Sequence, residues 1–187
     1  KNAQSDKKHT MVVACTGAGK TEAALVLAKR FINKGLADGL FIALPTMATT
    51  NAMFERLQQY FNTFFESTDA SLVLSHSSRD LMDKFTKSIF DFSSKDDMVS
   101  QDEGLSQCIN WIADNKKKAF LADMGVGTID QALLGILAVK HQSLRLLGLC
   151  RKVLVVDEIH SYDEYTNGLL KKLILFHTAF GGSTILL

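Results

Sequence analysis

VVACTGAGKTEAALVLAKR, residues 12–30, joins an apolar run to a glycine-bearing turn that ends in Lys-Thr, and then to an amphipathic helical pattern. Residues 14–21 match the phosphate-binding loop, with Ala14 where the strict pattern begins with glycine. Small residues allow backbone N–H groups to curl around an oxyanion, and the following helix adds the positive end of its dipole. The alternative is a tight glycine turn with an exposed lysine, but the order of strand, loop and helix favours a phosphate site.

The loop predicts a site for ATP and Mg²⁺. Lys20 supplies a point charge for the β and γ phosphates, and the Thr21 hydroxyl is a predicted Mg²⁺ ligand. The predicted nucleotide-binding residues are consecutive: Thr16, Gly17, Ala18, Gly19, Lys20 and Thr21.

Length and composition narrow the class of protein. The 187 residues are enough for one sizeable domain. A net charge of +1 excludes a strongly basic surface, so any nucleic-acid contact has to be local. The three cysteines form no C-x-x-C pair, which fits a reducing cytoplasm. No apolar run reaches the roughly 18 residues of a membrane span, so we expect no membrane association.

Apolar runs alternate with helical patterns along the chain. Six runs are apolar on successive residues, as strands buried on both faces are: 10–14, 40–44, 71–75, 119–122, 152–157 and 183–187. Helical patterns lie at about 21–34, 47–65, 129–140 and 164–179. The pattern predicts an α/β domain with a mostly parallel sheet flanked by helices. Residues 79–118 mix acidic and basic side chains and are predicted to form a polar insertion.

Local signals predict where two helices end or begin. Gly35 is placed to take a left-handed conformation just after the first helix. Ser161 and Glu164 have the S-x-x-E spacing of a capping box, which predicts the start of the last helix. Gly125 and Gly127 are interpreted as turn residues.

VLVVDEIH, residues 153–160, is the second stretch with predicted chemistry. Buried apolar residues deliver Asp157 and Glu158 to the carboxyl end of a strand, where ligands collect in open α/β sheets. Asp157 is a predicted Mg²⁺ ligand, Glu158 is predicted to polarise the attacking water, and His160 completes the catalytic set. Taken alone, an acidic pair at the end of a strand is equally well explained as part of a solvated turn. Together with the phosphate loop, it indicates NTP hydrolysis.

The D-E-x-H form resembles that of superfamily-two nucleic-acid motors, and two further segments resemble theirs. ALPTMATTNAMFERL, residues 43–57, is similar to a motif that grips strand phosphates, with Thr46 and Asn51 as predicted contacts. VGTIDQALL, residues 126–134, is similar to a later DNA-contacting motif, with Thr128 at a helix start. Taken alone, either segment is better explained as a loop proline or an ordinary N-cap threonine than as a DNA contact.

Basic residues extend the predicted contact surface for DNA. Residues 131–156 contain four basic and no acidic side chains, which is either a cationic path for phosphates or a buried helix with snorkelling ends. Lys140 and His141 are the predicted DNA contacts in this stretch, and His76, in LVLSHSS, is a further one or a strand cap.

The resemblance becomes specific in GTIDQALLGILAVKHQSLRLLGL, VLVVDEIHSYDEYTNGLL and GGSTILL. These segments, with CTGAGKTEAALVLAKR and ALPTMATTNAMFERL before them, resemble the CRISPR-associated helicase–nuclease of type I systems. The resemblance implies the first RecA-like domain of a P-loop, DExH motor that hydrolyses ATP and translocates along single-stranded DNA. It also implies recruitment to a guide-RNA surveillance complex.

Two parts of that family's pattern have no counterpart in the 187 residues: the His-Asp nuclease domain and the second RecA-like domain with its arginine finger. We therefore expect residues 1–187 to be a fragment of a longer chain, with low hydrolysis by itself. Two alternatives stay open at this point. One is another superfamily-two motor acting on DNA or RNA, and the other is a truncated nucleotide-binding interaction module without turnover.

Overall fold

The structure is a computed structural model that describes residues 9–11, 19–64, 72–75 and 118–187. Thr16, Gly17, Ala18 and His76 lie outside the described residues, as do residues 79–117 of the predicted insertion.

The described residues form six strands and five α-helices, numbered in chain order. The strands are β1 His9–Met11, β2 Gly39–Leu44, β3 Leu72–Ser75, β4 Met124–Thr128, β5 Lys152–Val156 and β6 Ser183–Leu186. The helices are α1 Lys20–Asn33, α2 Met47–Phe64, α3 Ile129–Leu133, α4 Gln142–Leu149 and α5 Glu164–Ala179. Two short 3₁₀ helices, Lys118–Leu121 and Ile159–Ser161, precede β4 and α5.

All six strands join one sheet in the order β1-β6-β5-β2-β4-β3, and every described pair is parallel. Alternate strand residues pack on opposite faces. Leu40 and Ile42 of β2 pack with α1 and α2, whereas Phe41 and Ala43 pack with α3 and α5. Burial on both faces is the reason that the strands are apolar at successive positions. The predicted α/β class with a parallel sheet and flanking helices is confirmed.

The prediction of a strand at 119–122 is wrong. This run is the 3₁₀ helix Lys118–Leu121, and the strand follows it at Met124–Thr128. The carbonyl oxygens of Phe120 and Ala122 accept hydrogen bonds from Lys152 Nζ, so a side chain satisfies them and not a neighbouring strand. The turn interpretation of Gly125 and Gly127 is wrong as well, because both lie buried in β4 between β2 and β3.

Two helix predictions also need correction. The helix predicted at 129–140 ends at Leu133, and a separate helix, α4, begins at Gln142. The predicted capping box of Ser161 and Glu164 is not formed. Asp163 is the N-cap of α5, and its Oδ1 accepts a hydrogen bond from the Thr166 backbone N–H at 2.8 Å. Asp163 is the N-cap and Ser161 is not, because Asp163 directly precedes the first helical residue, and its carboxylate therefore reaches the backbone N–H of the third helical residue.

The predicted cap of α1 is confirmed. Gly35 has φ of +65°, and the N–H of Leu36 donates to the Phe31 carbonyl at 2.9 Å, which closes a Schellman-type end.

Gly39 lies where the neighbouring backbone leaves no space for a side chain. A Cβ at this position would lie 2.2 Å from the backbone oxygen of Asp123, which is itself bonded to Leu40 N–H. We expect Gly39→Ala to lower the free energy of unfolding by about 2 kcal/mol, because β2 and β4 must separate. Gly168→Ala is the matched control: its Cβ meets nothing within 4 Å on α5, and the change should raise stability by roughly 0.5–1 kcal/mol. Urea unfolding of both variants measures the difference, and equal effects would contradict this packing.

Candidate nucleotide and nucleic-acid site

The strand register aligns the carboxyl ends of all six strands. Following the pairs across the sheet, one row contains Met11, Leu186, Val156, Ala43, Gly127 and Ser75. The residues just beyond this row include Asp157 after β5 and Thr128 at the end of β4, and Thr46 follows β2 closely. Because β5 and β4 flank β2, their ends lie two strand spacings apart, about 10 Å. Candidate residues from distant parts of the sequence therefore share one edge of the sheet.

The described part of the phosphate loop lies at the start of α1. Gly19 is the N-cap with φ of +74°, a conformation that glycine adopts without strain, and its carbonyl accepts from Ala23 N–H at 3.0 Å. Lys20 and Thr21 are half-buried in the first turn of the helix. Glu22 forms an ion pair with Arg56 of α2, so the two helices are joined beside the loop. The unpaired N–H groups of the first turn give this helix end its affinity for anions.

Asp157 and Glu158 lie where β5 ends. The Asp157 N–H still donates to the Ala43 carbonyl of β2 at 3.1 Å, so the residue keeps its place in the sheet. Its Oδ1 accepts from the Glu158 N–H at 2.9 Å. Glu158 has φ of +54°, a left-handed conformation that is uncommon for a residue with a side chain and is found at functional sites.

The turn after Glu158 is held by short-range bonds. The Glu158 carbonyl accepts from the Ser161 N–H at 2.9 Å and from Ser161 Oγ at 2.7 Å. His160 Nε2 lies 3.0 Å from Glu158 Oε2 and forms an ion pair with it when the imidazole is protonated. The Ile159 N–H donates to the Leu187 carbonyl at 3.3 Å, which ties the turn to the end of β6. The D-E-x-H residues thus form one compact turn.

A magnesium ion fits the donors at this edge. Among the described residues, Asp157 Oδ2 has no hydrogen-bond partner, whereas Oδ1 is held by a backbone N–H. Within the same residues, no three His, Cys, Asp or Glu side chains form a cluster that could hold a metal. Mg²⁺ does not need such a cluster, since it is usually bound by one or two protein oxygens, phosphate oxygens and water.

Thr46 is the N-cap of α2. Its hydroxyl accepts from the Thr49 N–H at 3.2 Å, and Thr49 Oγ1 lies 3.3 Å from the Thr46 N–H, a reciprocal capping arrangement. Thr50 Oγ1 also donates to the Thr46 carbonyl at 2.7 Å. The side chain is exposed, so capping leaves it at the surface of the sheet edge.

Asn51 and Thr128 differ from Thr46 in their surroundings. Asn51, in the first turns of α2, has a buried Oδ1 for which the described residues provide no hydrogen-bond partner. Thr128 is the N-cap of α3 but makes no capping hydrogen bond through its side chain, and it is buried. At the start of α3, the helix presents backbone N–H groups beside the end of β4.

The four basic residues of 131–156 do not form the cationic path for phosphates that was one of the two predictions for this stretch. Arg145 is buried, and its Nη1 donates to the Lys140 carbonyl at 3.4 Å. Arg151 forms an ion pair with Asp38, Nε to Oδ2 at 2.6 Å, which lowers the pKa of Asp38. Lys152 is buried against the carbonyls of the 3₁₀ helix before β4. Of the four basic residues, only Lys140 stays exposed without a described side-chain partner.

Lys140 and His141 lie in the connection between α3 and α4, and both are exposed. His141 is the N-cap of α4 with φ of +64°. The described contacts do not join this connection to the carboxylates at the end of β5.

Tyr162 is the residue of this region that the sequence patterns did not identify. Its hydroxyl donates to the Asp157 carbonyl at 2.9 Å. Burial, and then the negative charges of Asp157, Asp130 and Glu158, raise the pKa of the phenol. Tyr162 lies two residues after D-E-x-H, within the segment VLVVDEIHSYDEYTNGLL that carries the resemblance, but neither signal predicts a bond to a backbone carbonyl.

Among the described helices, none combines the length and apolar character that a membrane crossing requires.

Comparison with known proteins supports the resemblance drawn from the sequence. The CRISPR-associated endonuclease/helicase Cas3 of Escherichia coli strain K12 is 42% identical over 181 residues, which are 95% of this chain and 20% of that protein. The crystal structure of T. fusca Cas3-ATP matches with a TM-score of 0.75 at 34% identity, over 98% of this chain and 19% of that one. A structure titled CRISPR RNA-guided surveillance complex, pre-nicking, matches with a TM-score of 0.62 at 31% identity, over 95% and 15%. The chain thus spans about a fifth of the length of its curated relative.

The family model for DEAD/DEAH box helicases matches residues 1–179, nearly the whole chain. It covers both the phosphate loop at 14–21 and the D-E-x-H turn at the end of β5. With this match and a parallel RecA-like sheet, the chain belongs to the DEAD/DEAH box helicase family.

Proposed function

We propose that the chain is the first RecA-like domain of a cytoplasmic ATP-dependent motor that translocates along single-stranded DNA in CRISPR interference. The observation that carries this proposal is the row of strand ends. It places Asp157 and Glu158 on the same edge as Thr46 and Thr128, and that edge continues to β1, which leads into the phosphate loop.

In the proposed ATP site, Lys20 and the loop residues Thr16, Gly17, Ala18 and Gly19 hold the phosphates. Thr21 and Asp157 hold Mg²⁺, which supplies charge neutralisation when it is bound. Glu158 orients the attacking water, and His160 pairs with Glu158 at the rim of the turn. The T. fusca relative whose title names ATP supports nucleotide binding.

In the proposed DNA interface, backbone phosphates lie across the carboxyl edge of the sheet. Thr46 is an exposed cap, the side-chain amide of Asn51 supplies N–H donors, and the start of α3 after Thr128 presents N–H groups. Lys140, His141 and His76 are proposed as further contacts. With a net charge of +1, such an interface depends on these local groups and not on a general positive field.

The partners are proposed from the relatives. The E. coli relative is named an endonuclease/helicase, and a matching structure is titled a surveillance complex. We therefore propose that the motor works with a His-Asp nuclease domain and a second RecA-like domain, and that it is recruited to a type I CRISPR surveillance complex.

Binding of a fluorescent ATP analogue tests the nucleotide site. Lys20→Ala is expected to weaken Mg²⁺-dependent binding roughly 10- to 100-fold, the effect of removing a charged hydrogen-bond donor to phosphate. Lys34→Ala, at the opposite end of α1, removes the same charge from an exposed position and should bind as the wild type does. Equal affinity of the Lys20 and Lys34 variants would contradict the assignment of the loop.

A further inference from the structure

The peptide group between Asp157 and Glu158 is held from both sides. Its N–H, from Glu158, donates to Asp157 Oδ1 at 2.9 Å, and its carbonyl, from Asp157, accepts from Tyr162 Oη at 2.9 Å. The following backbone angle, φ of +54° at Glu158, is an unfavourable conformation that persists only where surrounding bonds fix it. The hydroxyl of Tyr162 therefore helps to fix the direction in which the Glu158 side chain leaves the strand.

Tyr162 is itself fixed to α5. Its carbonyl accepts from Asn167 Nδ2 at 2.9 Å, and its N–H donates to the Ile159 carbonyl at 3.4 Å. The next residue, Asp163, caps α5 through Thr166. The ring is thus attached to a long helix and not to a free loop.

The ring of Tyr162 is partly buried. It packs against the apolar cluster that includes Val156, at the end of β5, and Leu170 and Leu173 of α5. The ring is thus held in the core, and its hydroxyl reaches the D-E-x-H turn from a fixed position.

We propose that Tyr162 is a positioning residue whose hydroxyl, held by α5 and the core, fixes the Asp157–Glu158 peptide and thereby aligns Glu158 for hydrolysis. The inference rests on the proposed function of this edge.

The test compares Tyr162→Phe with Tyr165→Phe in the full-length gene product that contains this chain. The first change removes one hydroxyl and keeps the ring in its cluster; the second removes the same hydroxyl from a side chain that is 71% exposed on α5. With saturating single-stranded DNA, Tyr162→Phe should lower kcat for ATP hydrolysis roughly three- to tenfold, the worth of one hydrogen bond, and leave KM for ATP unchanged. Tyr165→Phe should match the wild type in both quantities.

Thermal melting shows whether a lower kcat comes from a misplaced Glu158 side chain or from a loss of folding. Tyr162→Phe should melt near the wild type, and if it does not fold, Asn167→Ala, which frees the Tyr162 carbonyl, should show the same loss of kcat. Tyr162→Phe turnover equal to that of Tyr165→Phe, or a raised KM at unchanged kcat, would overturn the inference. A wild-type protein that hydrolyses no ATP with DNA present would instead remove the proposed function on which it rests.

Discussion

Replacing Glu158 with glutamine is expected to lower ATP turnover by about 10²- to 10⁴-fold in the full-length gene product while ATP binding stays unchanged. Glutamine has nearly the same shape as glutamate but cannot polarise a water as a base. The structure places the side chain just beyond the end of β5, in a turn fixed by bonds to Asp157 and Ser161. Single-turnover hydrolysis and equilibrium binding of ATP measure the two quantities separately.

Glu164→Gln is the matched control for this prediction. Glu164 is exposed in the first turn of α5, six residues along the chain, and loses the same charge. His160→Ala is a second control, since it removes the ion pair with Glu158 but keeps the carboxylate, and we expect a smaller loss. Turnover by Glu158→Gln equal to that of Glu164→Gln would contradict the role of Glu158 in hydrolysis.

Among the described residues, Lys152 is expected to raise the stability of the wild-type chain as the pH increases from 8 towards 10.5. Burial lowers its pKa to about 8, and Asp123 opposes part of that shift. The unfolded chain, with the ordinary value of 10.5, therefore binds more protons than the folded chain within this window. The free energy of unfolding should increase by about 1.4 kcal/mol per pH unit there, or roughly 3 kcal/mol in all.

The geometry explains how the neutral amine is accommodated. Lys152 Nζ donates to the Phe120 carbonyl at 2.5 Å and to the Ala122 carbonyl, and a neutral amine has two N–H donors for these two acceptors. Below pH 8 the lysine is protonated in both states, so its contribution no longer changes with pH, and the burial of the charge lowers stability in full.

Urea unfolding at several pH values from 7 to 10.5 checks this expectation. The free energy of unfolding of Lys152→Met should not increase with pH in this range. For Lys171→Met, a change at an exposed position of α5, it should increase with pH as it does in the wild type. Parallel stability curves for the two variants would show that Lys152 keeps its ordinary pKa in the folded chain.

The sequence correctly predicted the elements whose conformation is determined by their own residues. The bounds of strands β2, β5 and β6 agree with the predicted apolar runs to within one residue. Helix α5 has its predicted bounds because its helical pattern lies between flanking residues that mark both ends. Strand β4 was missed because MGVGT carries two glycines, which are poor strand formers on their own. Its conformation is decided by β2 and β3 on either side, which no local pattern reveals.

The residues of the candidate site also fall into two groups: those that a sequence motif predicts, and those whose surroundings depend on the fold. Gly19, Lys20 and Asp157 belong to motifs with fixed spacing, and the structure places them at a helix start and a strand end as expected. Lys140 lies in a stretch with four basic and no acidic residues, and the same stretch contains Arg145 and Lys152, which are buried. Charge composition does not tell a buried lysine from an exposed one, since the difference depends on which backbone carbonyls lie nearby.

Steady-state ATP hydrolysis by the full-length gene product tests the central claim most directly. The rate is measured with no nucleic acid, with single-stranded DNA, and with RNA of the same sequence, alongside Lys20→Ala. We predict that DNA stimulates hydrolysis several-fold more than RNA does and that Lys20→Ala abolishes it. Equal stimulation by RNA would instead identify a different nucleic-acid motor of this family, and binding of ATP without any stimulated turnover would contradict a motor function altogether.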